Sequence, residues 1–336
     1  MTEAIPVEKI LGPESEERTN YQSITEVVGE DPLTGDRETN TQQDQINKNT
    51  DIREDNSREM ARISLTCCKT NWFVYDGLGI TCAGITYGLI FYAVFVVIGV
   101  ILLTDFPASP WAYVHSVLFT FMAILAISAH ARSMTTDPGV IPQGNFTEDN
   151  IKSLGFRPGD VVLRCTKCEC IKVNRAHHCS TCQRCVRKMD HHCPWINNCV
   201  GEYNQKFFML FTFYIMLISI YALALAVSYV FSCADKEWKD CTYFSPPATI
   251  VFLIFLVFEG LLFGIFTLVM LCTQVKAVIS DETTIENLKR EKREKEGSWQ
   301  HRLQQVFGGK LSVHWLSPFS STPVYRRRNE FVYNDV

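Results

Sequence analysis

Eight cysteines and four histidines lie within residues 165–208 of this chain, which read CTKCECIKVNRAHHCSTCQRCVRKMDHHCPWINNCVGEYNQKFF. The cysteines recur in C-x2-C pairs, a spacing that brings two sulfur atoms to one metal in a tight turn. Thiolates and imidazoles in this arrangement are typical of tetrahedral zinc sites. The candidate ligands are Cys165, Cys168, Cys170, His177, His178, Cys179, Cys182, Cys185, His191, His192, Cys193 and Cys199. Because two zinc sites use about eight ligands, some of these residues are available for another role.

The same stretch forms the pattern C-x2-C-x9-H-C-x2-C-x2-C-x4-D-H-H-C-x5-C-x4-N-x3-F. From Cys165 to Phe208, every spacing resembles the cysteine-rich domain of the DHHC-type protein S-acyltransferases, the palmitoyltransferases. The motifs Asp137-Pro138-Gly139 and Thr283-Thr284-Ile285-Glu286 occupy the positions of that family's DPG and TTxE motifs. The resemblance covers roughly residues 70–320. The segments FEGLLFGIFTLVM and FGGKLSVHWLSPF are most similar to the subgroup called Golgi-specific DHHC zinc-finger proteins.

The resemblance implies two interleaved zinc sites and a set of spare residues. One zinc would be held by Cys165, Cys168, His178 and Cys185. The other would be held by Cys179, Cys182, His192 and Cys199. The residues left over are then Cys170, His177, His191 and Cys193.

Local geometry bears separately on Asp190-His191-His192-Cys193. In an extended run, His191 and Cys193 share one side and His192 points to the other, towards the metal. A histidine beside a cysteine is the minimum for an activated thiolate. Asp190 can orient the imidazole only if the chain turns at that point, so we expect a turn there. The alternative is that all four residues are structural ligands or filler.

Four uncharged runs are each long enough to cross a bilayer, which takes about 20 apolar residues. They lie at Gly77–Thr104, between Asp105 and Arg132, between Lys206 and Asp235, and from about Thr249 to Cys272. Glu259 alone interrupts the fourth run. These runs predict four transmembrane helices.

The charges of the connecting segments predict the orientation. Residues 131–206 and the tail from residue 273 each carry eleven Lys and Arg, whereas the other two connections carry none and two. Positively charged connections stay in the cytosol, so both termini and the cysteine-rich segment are predicted to be cytosolic. Cys233 and Cys241 then face the oxidising side, where they can pair. Cys67 and Cys68 are juxtamembrane candidates for palmitoylation, or ordinary thiols.

The predicted fold is an all-α polytopic membrane protein, with a small cytosolic two-zinc domain between helices 2 and 3. Residues 1–70 carry fifteen Asp and Glu and eight Lys and Arg without apolar periodicity, which is typical of disorder. The predicted divisions are a disordered tail at 1–70, helices 1 and 2 at 71–131, the DHHC zinc domain at 132–206, helices 3 and 4 at 207–272, and a cytosolic tail at 273–336.

The predicted function is protein S-palmitoyltransferase, with palmitoyl-CoA as donor and membrane-proximal client cysteines as acceptors. Cys193 would be the nucleophile and His191 the base, and Asp190 would orient the His191 imidazole. The predicted cofactors are two structural zinc ions, the surroundings a lipid bilayer of the Golgi, and no nucleic-acid partner is expected. Two alternatives remain open, a membrane-anchored zinc interaction module and a transporter that uses Glu259 as its intramembrane acid.

Two finer expectations concern the donor. Arg175, Arg187 and Lys188 are candidates for contacts with the CoA phosphates. An extended sixteen-carbon chain is about 20 Å long, which equals the rise of about thirteen helical residues. Counted from Phe207, the methyl end is expected near Ile218 to Tyr221, with Thr86 and Ile90 of helix 1 as partners.

Overall fold

The computed structural model describes residues 2–11, 72–103, 109–238, 241, 243–290, 295 and 297–320. The chain divides into two compact units, with boundaries between Ile141 and Pro142 and between Val173 and Asn174. The predicted zinc domain at 132–206 is therefore divided between them. Cys67 and Cys68 lie outside the described residues, so their modification stays a prediction.

The first unit is built around a small antiparallel sheet with strand order β1-β2-β3. Its strands are β1 (Thr2–Pro6), β2 (Val161–Cys165) and β3 (Cys170–Ile171), and its helices are α1 (Glu8–Leu11) and α4 (Glu148–Ser153). Thr2 pairs with Cys165 and Pro6 with Val161.

The first residues of the chain depart from the disorder predicted for 1–70. Val7 is completely buried in a cluster with Ile151, Val162 and Ile171. Ile10 packs against the same cluster, so this short stretch carries apolar side chains that the average composition of the tail conceals. The rest of the predicted disordered tail lies outside the described residues.

The second unit contains four helices that are long and apolar enough to cross a membrane. They are α2 (Gly77–Phe95, continued by a π-helical segment over Val96–Leu102), α3 (Pro110–Thr135), α5 (Gln205–Asp235) and α6 (Pro246–Ser280). Helix α5 packs against both α3 and α6. The predicted multi-pass membrane protein is confirmed, and each helix overlaps the uncharged run that predicted it.

The ends of these helices follow local chemistry. Helix α3 stops just before Asp137-Pro138-Gly139, where the Asp137 carboxylate accepts hydrogen bonds from the backbone N–H groups of Gly139 (2.9 Å) and Val140 (2.8 Å). Asp followed by Pro and Gly is typical of a turn that ends a helix, and the structure has such a turn here. Helix α6 instead runs eight residues beyond the predicted end at Cys272, to Ser280. The extension is stabilised because Gln274 and Val278 are buried.

Four short strands form two hairpins in the second unit. Strand β4 (His177–Cys179) pairs with β5 (Arg184–Val186), and β6 (His191–Cys193) pairs with β7 (Asn198–Val200). Two further helices, α7 (Thr284–Lys289) and α8 (Trp299–Phe307), follow α6. Most of the residues that the structure describes are helical, and the strands among them are β1, β2 and the short strands of the cysteine-rich region.

A disulfide joins Cys233 to Cys241, with the Cα atoms 5.6 Å apart. This confirms the pairing predicted from the charge of the connecting segments. The Tyr229 hydroxyl donates a hydrogen bond of 2.7 Å to the Cys241 carbonyl oxygen. The short connection between α5 and α6 is therefore tied back to the end of α5.

Arg302 of α8 is bound by two backbone carbonyl groups. Its guanidinium donates hydrogen bonds to the carbonyl oxygens of Gly297 (2.7 Å) and Ile279 (2.6 Å). The residue is buried on α8, and the bond to Ile279 ties α8 to the end of α6.

Candidate active site

The cysteine-rich region carries two groups of three cysteines and one histidine with the composition of zinc sites. In the group that lies wholly in the second unit, His192 Nδ1 is 3.7, 3.4 and 3.6 Å from the Sγ atoms of Cys179, Cys182 and Cys199. The sulfurs of Cys182 and Cys199 are 3.5 Å apart. Ligand atoms of a tetrahedral zinc site are about 3.5–3.8 Å apart, given Zn–S of about 2.3 Å and Zn–N of about 2.0–2.1 Å. These four residues fit one zinc ion.

The two hairpins place their ligands in the same way. His192 lies directly opposite Cys199 across β6 and β7, and His178 lies opposite Cys185 across β4 and β5. The Cys185 sulfur is 4.0 Å from His178 Nδ1. Each hairpin thereby presents one imidazole and one thiol to the same side, because opposed residues in an antiparallel pair share a face.

The other half of the first predicted set lies in the first unit. Cys165 and Cys168 are buried and joined by a turn, in which the Glu169 N–H donates to the Cys165 carbonyl oxygen at 2.8 Å. The set of Cys165, Cys168, His178 and Cys185 draws on both units, and its joint binding of one zinc stays a prediction.

The strand β6 shows the alternation expected for the DHHC run. His192 points to the metal group, while His191 and Cys193 lie on the other side and interact through their side chains. Asp190 precedes the strand, and its carboxylate accepts a hydrogen bond of 2.7 Å from His191 Nδ1. The turn that the sequence analysis required at Asp190 is therefore present. Because Nδ1 is taken by Asp190, Nε2 is left for the Cys193 thiol.

Asp190 is held by two residues from the end of α6 and the start of α7. The Gln274 side chain donates to Asp190 Oδ2 and the Thr284 N–H donates to Oδ1, both at 2.7 Å. Asp190 is 2% exposed, so these bonds satisfy a buried charge. Sequence reasoning missed Gln274, which stands beyond the predicted end of helix 4.

The TTxE motif forms a capping box, because Thr283 and Glu286 have the Thr-x-x-Glu spacing of that cap. The Thr283 N–H donates to the Glu286 side chain at 2.8 Å, and the Glu286 N–H donates to Thr283 Oγ1 at 3.3 Å. The cap fixes the first turn of α7, whose Thr284 N–H bonds Asp190. The TTxE motif is thus the N-terminal cap of α7, and this cap helps to position Asp190.

Two of the basic residues suggested for CoA binding are engaged elsewhere. Arg175 is buried and bonds both oxygens of Glu286 at 2.7 Å, and it also bonds Asp281 at 2.7 Å. Arg187 forms an ion pair of 2.9 Å with Glu202. The carboxylates raise the pKa of Arg175 despite its burial, so it is a permanent charge that anchors the TTxE segment.

The electrostatics of the Asp190–His191 pair favour both charges. Burial lowers the pKa of the His191 imidazole, but its bonds to Asp190 and Cys193 outweigh burial and raise this pKa to about 9. Burial raises the pKa of the Asp190 carboxyl, but hydrogen bonds from His191, the Thr284 N–H and Gln274 outweigh burial and lower this pKa below the usual range. The charged imidazole of His191 thus lies next to the side chain of Cys193, the candidate nucleophile.

Two buried asparagines that follow Cys193 hold the site against the membrane helices. Asn197 adopts a left-handed conformation (φ 46°) and donates a 2.7 Å hydrogen bond to the Val74 carbonyl oxygen. Asn198 donates to the Thr136 carbonyl oxygen at 2.9 Å. Gly79 allows the approach of α2, because a Cβ atom there would lie 2.2 Å from Asn197 Oδ1. No local sequence pattern marks either asparagine as a site residue.

An apolar cavity of about 770 Å³, including its open mouth, begins at Cys193 and runs between α2, α5 and α6. Near Cys193 it is lined by Trp195, Phe208 and Phe211, and farther along by Ile90, Ile215 and Ile218.

The far wall of the cavity partly matches the expectation for an acyl chain. Thr86, Ile90 and Ile218 line the cavity as predicted, and Ala222 lines it one helical turn beyond Ile218. Tyr221 does not line it, because its hydroxyl forms a hydrogen bond with His115 of α3. The expectation for Tyr221 was therefore wrong, since this side chain points to a different helix.

The chain is similar in sequence to known palmitoyltransferases and protein S-acyltransferases. A model of the DHHC palmitoyltransferase family matches residues 163–291. Palmitoyltransferase ZDHHC3 of Homo sapiens is 49% identical over 268 residues, which cover 79% of this chain and 88% of that protein. Palmitoyltransferase ZDHHC7 of Mus musculus is 51% identical over 255 residues, covering 74% and 80%. The probable protein S-acyltransferase 12 of Arabidopsis thaliana is 33% identical over 230 residues, covering 61% and 72%.

Proposed function

The chain belongs to the DHHC palmitoyltransferase family, and on that premise we propose that the Cys193 thiolate carries the acyl group during the reaction. The protein is an S-palmitoyltransferase, so its chemistry forms a thioester on a client cysteine. The observation that supports Cys193 is its position. It is a thiol outside both zinc groups, beside His191, at one end of an apolar cavity.

In the first step, Cys193 attacks the thioester carbonyl of palmitoyl-CoA. The bond from the carbonyl carbon to the Cys193 sulfur forms, and the bond to the CoA sulfur breaks. The proton that His191 holds passes to the departing CoA thiolate, which leaves as the free thiol. The acyl chain lies in the cavity, where burial of each methylene contributes about 0.8 kcal/mol.

In the second step, the thiol of a membrane-proximal client cysteine attacks the acyl-Cys193 thioester. His191 accepts the client proton, and the Cys193 sulfur leaves as the thiolate beside the protonated imidazole, which restores the starting state. Asp190 keeps the imidazole in one orientation and stabilises its charged form through the 2.7 Å bond to Nδ1. Gln274 and Thr284 act on the reaction only through Asp190 and are positioning residues.

We assign two structural zinc ions to the cysteine-rich region. The geometry of Cys179, Cys182, His192 and Cys199 supports one of them, and the matching spacing of Cys165, Cys168, His178 and Cys185 supports the other. Zinc with four protein ligands leaves no open coordination position, so it stabilises the fold of the loop and takes no part in the transfer.

For the topology we propose that both termini and the cysteine-rich region face the cytosol of Golgi membranes. The eleven Lys and Arg in each of the segments 131–206 and 273–336 support the orientation. The resemblance to the Golgi-specific DHHC zinc-finger subgroup supports Golgi membranes as the compartment. A tag at either terminus should be reached by antibody after permeabilisation of the plasma membrane alone, and protection of both tags would reverse the orientation.

The two alternative functions, a zinc interaction module and a transporter, are not favoured by the site. A zinc module that only binds partners needs no thiol at the end of a lipid-sized cavity. In a transporter, Glu259 would have to belong to a polar path, yet its surroundings in the cavity are mainly apolar.

The two-step transfer is tested by a pulse and a chase. Purified protein incubated with a clickable palmitoyl-CoA analogue should acquire hydroxylamine-sensitive label. After removal of the donor, a cysteine-containing client peptide should take up that label and discharge the enzyme. Label that appears on the peptide only while donor is present would contradict a transferable acyl-enzyme.

Side-chain bulk at Ile218 is expected to set the chain length that the cavity accepts. Ile218→Trp should shift the preference towards shorter acyl-CoA donors, and Ile218→Ala towards longer ones. The ratio of rates between two donors should change by about 10-fold for each methylene by which their chains differ. Competition between acyl-CoA donors of different length measures this. Ile220→Ala is the matched control, because Ile220 is 55% exposed and does not line the cavity. An unchanged profile in both Ile218 variants would place the end of the chain elsewhere.

A further inference from the structure

We infer that Glu259 contacts the methyl end of the bound acyl chain and makes the cavity selective for the polarity of that end. It penalises chains that press extra methylenes against it and accommodates a chain that ends in a hydroxyl group. The inference rests on the proposed acyl-Cys193 intermediate, and it assigns a specificity-determining role to the one acid that interrupts the fourth membrane run.

Two independent distances place Glu259 at the depth of a sixteen-carbon chain end. Along α6, Glu259 precedes Gln274, which contacts Asp190, by fifteen residues, a rise of about 22 Å. Along α5, Phe208 packs edge-on against His191, and Ala222 follows it by fourteen residues, a rise of about 21 Å.

The two helices are in register at this depth. A Cβ atom on Gly260 would lie 3.0 Å from Leu223 Cγ, so the residues beside Glu259 and Ala222 face each other. Both Glu259 and Ala222 line the cavity. Leu256, one turn farther along α6, lines the same end and is 1% exposed. Glu259 therefore lies at the end remote from Cys193, where an extended palmitoyl chain of about 20 Å terminates.

The surroundings of Glu259 leave its carboxyl group open to a ligand. Its Oε2 atom is buried and has no hydrogen-bond partner among the described residues. The Tyr92 hydroxyl, which interacts electrostatically with Glu259, donates its hydrogen bond to the Phe252 carbonyl oxygen at 2.9 Å. The hydroxyl of Thr267, which also lines the cavity, donates to the carbonyl oxygen of Phe263 on its own helix.

This arrangement has opposite consequences for two kinds of chain. Hydrocarbon pushed onto a buried carboxyl removes its hydration without giving it a partner, which is unfavourable. A terminal hydroxyl gives the carboxyl the missing hydrogen bond. A hydroxyl in the middle of the chain gains less, because Phe211 and Ile215 line the cavity there and the neighbouring Thr212 hydroxyl already donates to carbonyl oxygens of its own helix. The position of a polar group on the chain, rather than its presence, then decides acceptance.

The test is a competition for autoacylation between palmitoyl-CoA and three other donors, stearoyl-CoA, 16-hydroxypalmitoyl-CoA and 8-hydroxypalmitoyl-CoA. The wild-type protein should use the 16-hydroxy donor within about 3-fold of palmitoyl-CoA, and the 8-hydroxy donor at least about 10-fold less well. Glu259→Leu should raise the stearoyl-to-palmitoyl ratio and lower the 16-hydroxy-to-palmitoyl ratio, each by about 10-fold. Glu259→Gln, which keeps the size and a hydrogen-bonding end, should keep both ratios within about 3-fold of wild type.

Each outcome decides the matter. Equal rejection of the 8-hydroxy and 16-hydroxy donors by the wild type would overturn the inference without any variant, as would unchanged ratios in Glu259→Leu. Equal shifts in the Leu and Gln variants would show that size rather than polarity matters, and would also overturn it. Absence of palmitoyl label on Cys193 in the wild type would instead overturn the proposed function.

Discussion

The Cys193→Ser variant is expected to lose acyl transfer by at least about 10³-fold, as enzymes do when their nucleophile is removed. Serine keeps nearly the same size, so the 7% exposed site of Cys193 should stay packed. Because the Cys193 sulfur belongs to neither metal group, zinc content should match that of the wild type. The measurements are label transfer to a client peptide and metal analysis of the purified protein.

A parallel variant separates the nucleophile from thiols in general. Cys272→Ser removes an exposed cysteine of α6 and should leave transfer unchanged. Transfer at the wild-type rate by Cys193→Ser would contradict the assignment. Loss of zinc together with activity would make Cys193 a structural residue.

The His192→Ala variant is expected to lose metal and to fold poorly. His192 Nδ1 lies 3.4–3.7 Å from three cysteine sulfurs, so its removal leaves a zinc group with three ligands. Structural zinc contributes about 10–16 kcal/mol in zinc-finger peptides, and folding of such sites depends on the metal. Zinc content should fall from about two ions per chain to about one, with a lower yield of monodisperse protein.

His191→Ala is the matched control, since it changes the neighbouring histidine of the same strand. Its imidazole bonds Asp190 and interacts with Cys193, so zinc should be retained while transfer falls by about 10²–10⁴-fold. If His191→Ala lost zinc and His192→Ala kept it, the roles of the two histidines would be reversed.

The features that sequence predicted well are those set by local spacing. The uncharged runs located the four membrane helices because charged residues are costly, and therefore rare, at the centre of a bilayer. Alternation along β6 separated His191 from His192, since neighbouring residues of a strand point to opposite sides. The capping box at Thr283 and Glu286 likewise depends on residues only three apart.

The features that sequence missed depend on contacts between distant segments. Gln274 reaches Asp190 across 84 positions of sequence, and nothing in its neighbourhood marks it as a site residue. Asn198 bonds the end of α3 from 62 positions away. Arg175 looked like a ligand for phosphate until its carboxylate partners, more than a hundred positions away, were brought to it by the fold. The direction of the side chain explains why Tyr221 does not line the cavity. It shares a helix with Ile218 but faces His115.

The most direct test of the central claim is to map the acyl group on the protein. Purified wild-type protein is incubated briefly with palmitoyl-CoA, cleaved at neutral pH without thiol reductant, and its peptides are analysed by mass spectrometry with and without hydroxylamine. We expect a hydroxylamine-sensitive palmitoyl group on the peptide that contains Cys193, formed faster than on any other cysteine. An unmodified Cys193 in protein that transfers palmitate to its client, with the thioester at another cysteine such as Cys82 or Cys272, would contradict the account.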